Sequence, residues 1–125
     1  MIDTKPSNNP SCIFCRIIAG KAPAAILYQD DLITAFKDIH PITPIHILVV
    51  PNRHISSLNE INEDDASLLG NMILAAQKLA FQNGLQERGY RLVINTGYEA
   101  GQSVFHLHIH LIGGRRMPFA LYQAE

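Results

Sequence analysis

Three histidines alternate near the C-terminal end of the chain, within Gln102-Ser103-Val104-Phe105-His106-Leu107-His108-Ile109-His110-Leu111-Ile112-Gly113-Gly114. Read as one strand, a period of two sends His106, His108 and His110 to one face and Leu107, Ile109 and Leu111 to the other. Alternate residues on a strand stand about 6.8 Å apart, so the imidazoles form a row able to share one phosphate or one metal ion. Three of the six histidines of the chain lie here. A single histidine on a strand is commonly a solvated polar residue. Three in alternation crowd unpaired imidazoles together, which costs stability unless a ligand uses them. Cys12 and Cys15 form a second reactive set, at a spacing that serves metal binding or redox exchange.

The rest of the chain bounds what these residues can serve. With 125 residues it forms one domain, able to bury over about 60% of its unfolded surface without a disulfide scaffold. Ten basic residues stand against eleven acidic ones, with no Lys/Arg run beyond Arg115-Arg116. That balance offers no footprint for a polynucleotide backbone or a charged membrane surface. No apolar run approaches 18 residues and no basic flank precedes an apolar stretch at the N-terminus, so neither a membrane span nor a secretory signal is expected. Two cysteines are too few for a secreted disulfide framework and suit a reducing compartment. The expected location is cytoplasmic.

Taken in order, Met1 to Ser11 carries two prolines and no apolar period, a flexible lead-in. Phe14, Ile17 and Ile18 at helical offsets, with Gly20 as a stop, predict a short helix packed inward. Ile26-Leu27-Tyr28-Gln29, an Asp30-Asp31 turn and Leu32 to Phe36 read as a hairpin. Prolines 41 and 44 then interrupt, and Ile45 to Val50 is apolar at nearly every position, as a central strand would be, ending at Pro51. Asn62 to Asn83 predicts the one long helix, with Asn62 as N-cap, Asp65 three positions on and Gly84 beyond its end. Its stripe of Leu68, Leu69, Met72, Ile73, Ala76, Leu79 and Ala80 is assigned to the core. Tyr90 to Asn95 is a further strand before the histidine strand. The order predicts an antiparallel α+β domain.

These segments resemble the histidine-triad (HIT) family of nucleotide hydrolases and transferases. His106-Leu107-His108-Ile109-His110-Leu111-Ile112 is similar to the family signature. Gly101-Gln102-Ser103 before it and Gly113-Gly114-Arg115 after it look most like the Hint branch. The similarity runs from Cys12 to about Met117 and includes Ile13-Phe14-Cys15-Arg16-Ile17-Ile18, Ala35-Phe36-Lys37-Asp38-Ile39-His40-Pro41, Ile45 to Pro51 and Val93-Ile94-Asn95. It implies a five-stranded antiparallel sheet with one long helix and a short N-terminal helix, in a homodimer whose sheets join. Residues 12–125 would then be a single HIT domain behind the lead-in of residues 1–11.

Attack on a nucleoside phosphate at neutral pH needs a nucleophile that is largely unprotonated and leaves easily, which imidazole supplies. The rest of nucleotidyl transfer is mostly positioning and charge stabilisation. The resemblance makes His108 the nucleophile, forming a nucleotidyl-histidine that water resolves, in the hydrolysis of purine nucleoside 5′-phosphoramidates or related conjugates. It makes His110 a phosphate contact or an orienting partner, and His46 an orienting or proton-relaying one. Ser103, with Gln102 beside it, would hold phosphate oxygens or support the leaving group. Asn95 would bind phosphate or the linking atom, and Asp38 would accept from the ribose hydroxyls. Phe14, Ile17, Phe36 and Ile39 would form an apolar slot for the purine, although each also reads as ordinary core.

In relatives that keep the cysteine pair, zinc is bound by the pair, the histidine after the central strand and the first of the triad. Cys12, Cys15, His54 and His106 match those positions. Four protein ligands make such an ion structural, and no organic cofactor is implied. His40 reads as a surface turn residue. Two other readings are a Fhit-like dinucleoside polyphosphate hydrolase and a zinc- and nucleotide-binding module with little turnover. The Gly113-Gly114-Arg115 ending favours the Hint branch over the first, and the presence of both His108 and Ser103 argues against the second. The tail Met117 to Glu125 departs from the longer tails of many relatives, which leaves the leaving group open.

Overall fold

Local patterning sets the elements and the two sheet faces sort them. The computed structural model describes residues 9–118; the expected lead-in up to residue 8, and the tail from residue 119, lie outside the described residues. In order come α1 (Ile13–Ile18), β1 (Ile26–Gln29), β2 (Ile33–Lys37), β3 (Ile45–Pro51), α2 (Ala66–Gln82), β4 (Tyr90–Val93) and β5 (Ile109–Gly113). All strand pairs are antiparallel, in the order β1-β2-β3-β5-β4. This is the α+β architecture expected from the sequence. No helix among the described residues is long and apolar enough to cross a membrane.

The hairpin turns where Asp30 Oδ1 accepts from the amides of Leu32 and Ile33 at 2.8 and 2.9 Å. Leu32 therefore belongs to the turn, not to the strand. On one sheet face Ile33, Ala35, Ile47, Val49, Ile109 and Leu111 pack against Met72, Ala76, Leu79 and Ala80 of α2. On the other, Phe36, Leu48 and Val50 pack against Cys12, Phe14, Cys15, Ile17 and Ile18 of α1 and its cap. The sheet thus lies between two helices of unequal length. The short one leaves part of its face open for the site.

The long helix starts later than its N-cap signal. Asn62 and Asp65 form a reciprocal capping box around a 3-10 turn, Glu63–Asp65, and the α-helix proper begins at Ala66. Asp65 also takes a 2.7 Å bond from Arg53 Nη2, which helps to hold its carboxyl below the usual range. At the far end Leu85 N bonds Ala80 O at 2.9 Å and Gly84 N bonds Phe81 O at 3.1 Å. Gly84, at φ +74°, supplies the left-handed residue this closure requires.

The helix face corrects one expectation. Met72, Ala76, Leu79 and Ala80 are buried, but Ile73 is 49% exposed and Leu74 is 51% exposed. Successive helical residues diverge by about 100°, so Ile73 turns away from a sheet that already meets Met72 and Ala76. Met72→Ala is expected to cost about 2–5 kcal/mol of unfolding free energy and Ile73→Ala under about 1 kcal/mol, read by urea denaturation.

Candidate functional site

The register of the sheet brings the histidines together. Leu48 of β3 pairs with His110 of β5, and His46 with Ile112, so His46 lies diagonally across from His110 on the α1 face. The ladder does not extend through the whole histidine segment as expected, because β5 begins only at Ile109. Val49 pairs with Ile109, and two residues on β3 ends at Pro51, which has no N–H to give. Upstream of Ile109 the backbone leaves the sheet, with Leu107 N donating to Ile55 O at 2.6 Å. The alternation survives without the ladder. Leu107 is buried in the α2-side core, while His106 and His108 make T-shaped contacts with Phe14 at ring distances of 5.8 and 5.2 Å.

The hydrogen bonds assign the tautomers. His108 Nδ1 lies 2.7 Å from the His106 carbonyl, which can only accept, so Nδ1 carries the proton and Nε2 keeps its lone pair. The Ile42 amide donates to His46 Nδ1 at 3.1 Å, which places the His46 proton on Nε2. That nitrogen donates to His110 Nδ1 at 2.9 Å and lies 3.3 Å from Asp38 Oδ2. His110 is left with an N–H at Nε2. One imidazole is therefore a nucleophile in form and its neighbour a donor.

Burial lowers the pKa of all three groups. His110 falls to about 4, through desolvation first and then the neighbouring His108 and His46, against the pull of Asp38. His108 is lowered by desolvation despite its bond to the His106 carbonyl, and His46 by desolvation despite Asp38. Each is neutral at pH 7, the state a nucleophilic imidazole needs.

His108 and His110 open onto a cavity of about 400 Å³. Phe14, Ile17 and Phe36 are buried in its wall, Ile39 is 79% exposed at its rim, and Asp38 and Ser103 also line it. Phe14 and Phe36 meet edge to face, with centroids 5.3 Å apart. His40 is exposed, as expected of a turn residue, yet it reaches the same rim. Leu48, Val104 and Pro23-Ala24 also line it and were not singled out from sequence. Leu48 was accessible to that reading, since it lies two residues from His46 on the same strand face. Two expected contacts are not brought in. Asn95 is half-buried beyond β4 and is not among the residues lining the cavity. Gln102 is 3% exposed and its amide is taken up by the loops: Oε1 accepts from Gly97 N at 2.9 Å, and Nε2 donates to Ser56 O at 2.7 Å and Val104 O at 3.1 Å.

The second cluster sits at the N-terminus of α1. Cys12 Sγ lies 3.3 Å from His106 Nδ1, Cys15 Sγ lies 3.3 Å from His54 Nδ1 and 3.6 Å from His106 Nδ1, and the two Nδ1 atoms are 3.2 Å apart. Zinc bonds of ~2.3 Å to sulfur and ~2.0–2.1 Å to nitrogen separate tetrahedral donors by roughly 3.3–3.8 Å, which is the spacing found. His106 Nε2 donates to the Pro51 carbonyl at 2.8 Å, so its Nδ1 turns a lone pair toward the other three donors. Four electron-rich atoms converging on one point suit a soft tetrahedral cation.

The HIT domain model matches residues 19–117 of the chain. The chain belongs to the HIT family. It is 50% identical over 103 residues to the purine nucleoside phosphoramidase of Escherichia coli (strain K12), covering 82% of this chain and 87% of that protein. The crystal structure of a HIT family hydrolase from Legionella pneumophila Philadelphia 1 superposes with a TM-score of 0.86 at 46% identity, covering 88% of this chain and 98% of that one. A Zn-bound histidine triad family protein from Mycobacterium smegmatis superposes at 0.74 with 35% identity, over 85% of this chain and 76% of that one.

The depressed histidines make stability depend on pH. Unfolded, a histidine takes up its proton near 6.5, whereas folded His110 resists until about 4. Between these values the unfolded chain binds more protons, so stability is complete above about pH 6.5 and declines as pH falls toward about 4. Thermal melts of metal-free protein across that range should show the decline, and His110→Asn should reduce it without removing it, because burial also lowers His106 to about 4.

Proposed function

We propose that the chain hydrolyses purine nucleoside 5′-phosphoramidates, or closely related nucleotidyl conjugates, to the nucleoside monophosphate and the free amine. One observation carries the reading: His108, locked by the His106 carbonyl, turns an unprotonated Nε2 into an apolar cavity beside the His110 N–H. The name of the Escherichia coli relative supports the substrate class. Nε2 of His108 attacks phosphorus, the P–N bond breaks, and the amine nitrogen takes up a proton from solvent as it departs, the proton that the attacking water later gives back. Water then attacks phosphorus, the P–Nε2 bond breaks, and the monophosphate leaves. His110 donates to a non-bridging oxygen, and the His46–Asp38 pair holds its tautomer and balances the charge that develops. The purine lies against Phe14, Ile17, Phe36 and Ile39, and Asp38 accepts from the ribose hydroxyls. Ser103 meets the phosphate or the leaving group. Asn95 would bind the phosphate or the linking atom from outside the cavity wall, and Gln102 holds the loop that carries Ser103.

The Cys12, Cys15, His54 and His106 set takes a structural zinc ion in this reading, supported by the donor spacing and by the Zn-bound relative. Bound there, zinc would tie α1 to the strand that carries the nucleophile. Thiolates bind metal only while reduced, which supports a cytoplasmic location. The half-exposed Leu74 and Phe81 of α2, with β1 and β4 unpaired on their outer edges among the described residues, support a homodimer.

Steady-state assays of an adenosine 5′-phosphoramidate beside a dinucleoside polyphosphate test the reading. Turnover of the phosphoramidate should be faster, and His108→Ala should lower it by at least about 10³-fold while nucleotide still binds. Preference for the dinucleotide, or no turnover of either, would refute it. Cys12→Ala should reduce bound zinc from one ion per chain to none and lower the melting temperature by at least about 5 °C, read by elemental analysis and calorimetry. Sedimentation should give twice the chain mass.

A further inference from the structure

A cavity of about 300 Å³ opens on the sheet face opposite the histidines, between β1 and α2. β1 is an edge strand, four residues long and exposed throughout, and its pairing with β2 slips between Ile26 and Tyr28. The core cluster under α2 draws on β2 to β5 and includes no residue of β1, so the gap beside that strand stays open. Buried Ile33 and Leu79 form its floor. On α2, Asn71, Ala75, Lys78 and Gln82 line it at i, i+4, i+7 and i+11, which is one stripe of the helix. Ala75 is the small residue of that stripe, and its short side chain leaves the room.

Two opposite charges face this space without pairing. Among the described residues the ion pairs are His46–Asp38 and Arg53–Asp65, and neither uses Asp30 or Lys78. The Asp30 carboxylate is fixed on three sides: Oδ1 accepts from the amides of Leu32 and Ile33, and Oδ2 accepts from the Tyr28 hydroxyl at 2.6 Å. Desolvation raises its pKa, but those three bonds outweigh it and hold the carboxyl below the usual range. Asp30 is therefore an anion at neutral pH, held in place before any ligand arrives. The same bond keeps the Tyr28 ring beside the carboxylate, and a carboxylate next to an aromatic ring suits an ammonium group. At the helix side Lys78 offers the opposite charge, between the amides of Asn71 and Gln82.

We propose that this cavity binds a zwitterionic amino acid with an apolar side chain, its ammonium on Asp30 and Tyr28, its carboxylate on Lys78 and its side chain on Ile33, Ala75 and Leu79. An anion alone would meet the charge of Asp30, and a cation alone that of Lys78. A ligand carrying both groups answers both. The volume stands at the small end of the roughly 300–1,000 Å³ of small-ligand sites, which fits one amino acid and not a nucleotide. The site lies across the sheet from His108 and does not depend on the nucleotide chemistry proposed above.

The test is calorimetric titration of the full chain with L-leucine, with isovalerate, which keeps only the carboxylate, and with isoamylamine, which keeps only the amine. Leucine should bind with a Kd of about 1 mM or below, and each half-ligand at least about tenfold more weakly. Lys78→Met should weaken leucine by at least about tenfold, and Ala75→Leu, which fills the space, should abolish its binding. Both variants should keep the wild-type thermal melt, which separates loss of the site from loss of the fold. Wild-type protein that takes up no leucine at about 10 mM, or that binds isovalerate or isoamylamine equally well, would overturn the assignment. So would leucine binding unchanged in both variants. Leu74, at the outer lip, also belongs to the α2 surface assigned above to the homodimer. Sedimentation with leucine present checks that overlap: leucine bound only by dissociated chains would make a second copy the occupant and overturn the proposal.

Discussion

The 2.7 Å bond from His108 Nδ1 to the carbonyl of His106 ties the reactivity of the site to the path of the backbone. It exists because the chain upstream of Ile109 has left the ladder, freeing that carbonyl from β pairing. The departure is enforced at the neighbouring strand end, where Pro51 offers no donor and gives its own carbonyl to the His106 ring. His106 therefore has two roles through two different groups. Its ring joins the four-donor cluster, and its main chain sets the tautomer of His108. Anything that moves the cluster moves the lone pair on His108.

Two clusters of similar spacing are kept chemically distinct. Asp38, His46 and His110 also bring ligand-type atoms within 4.8 Å of one another, as the cysteine-containing set does. In the second set the acceptor on His106 faces inward because Nε2 is taken by Pro51. In the first, the Ile42 amide occupies His46 Nδ1 and leaves a proton on the nitrogen that points at His110. A cation there would have to displace that proton and turn the other nitrogen against a donor. One backbone amide thus makes a hydrogen-bonded chain of what composition alone would allow as a metal site.

The site is dry enough for neutral imidazoles yet bordered by charge. Burial lowers the pKa of His46, His108 and His110 together, and Asp38 opposes that shift in each case. The balance favours an unprotonated Nε2 on His108, with the Asp38 carboxylate close by. Packing serves the same end. Phe14 makes T-shaped contacts with His106, His108 and Phe36, so the short helix covers part of the row and walls the cavity at once.

By itself the sequence determined the elements, their order and the family. Periods of two and 3.6, the Asn62–Asp65 cap, the Asp30 turn and Gly84 are local signals, and local backbone sterics and hydrogen bonding decide them. The same periodicity assigned the histidines and leucines of residues 106–111 to opposite faces, because that alternation depends only on the chain's own geometry. Tertiary structure decided what depends on a neighbour. Ile73 carries the same apolar signal as Met72 but meets no sheet. The expected strand from Gln102 loses its ladder before Ile109 because its partner ends at Pro51, forty residues and more away in sequence. Gln102, adjacent to Ser103 and polar, reads as a ligand until the carbonyls of Ser56 and Val104 and the amide of Gly97 are seen to take its amide. The tautomers of six ring nitrogens in His46, His108 and His110 rest on contacts of the same kind. Residue type states that imidazole can attack or donate; only the partner across the fold states which nitrogen does which.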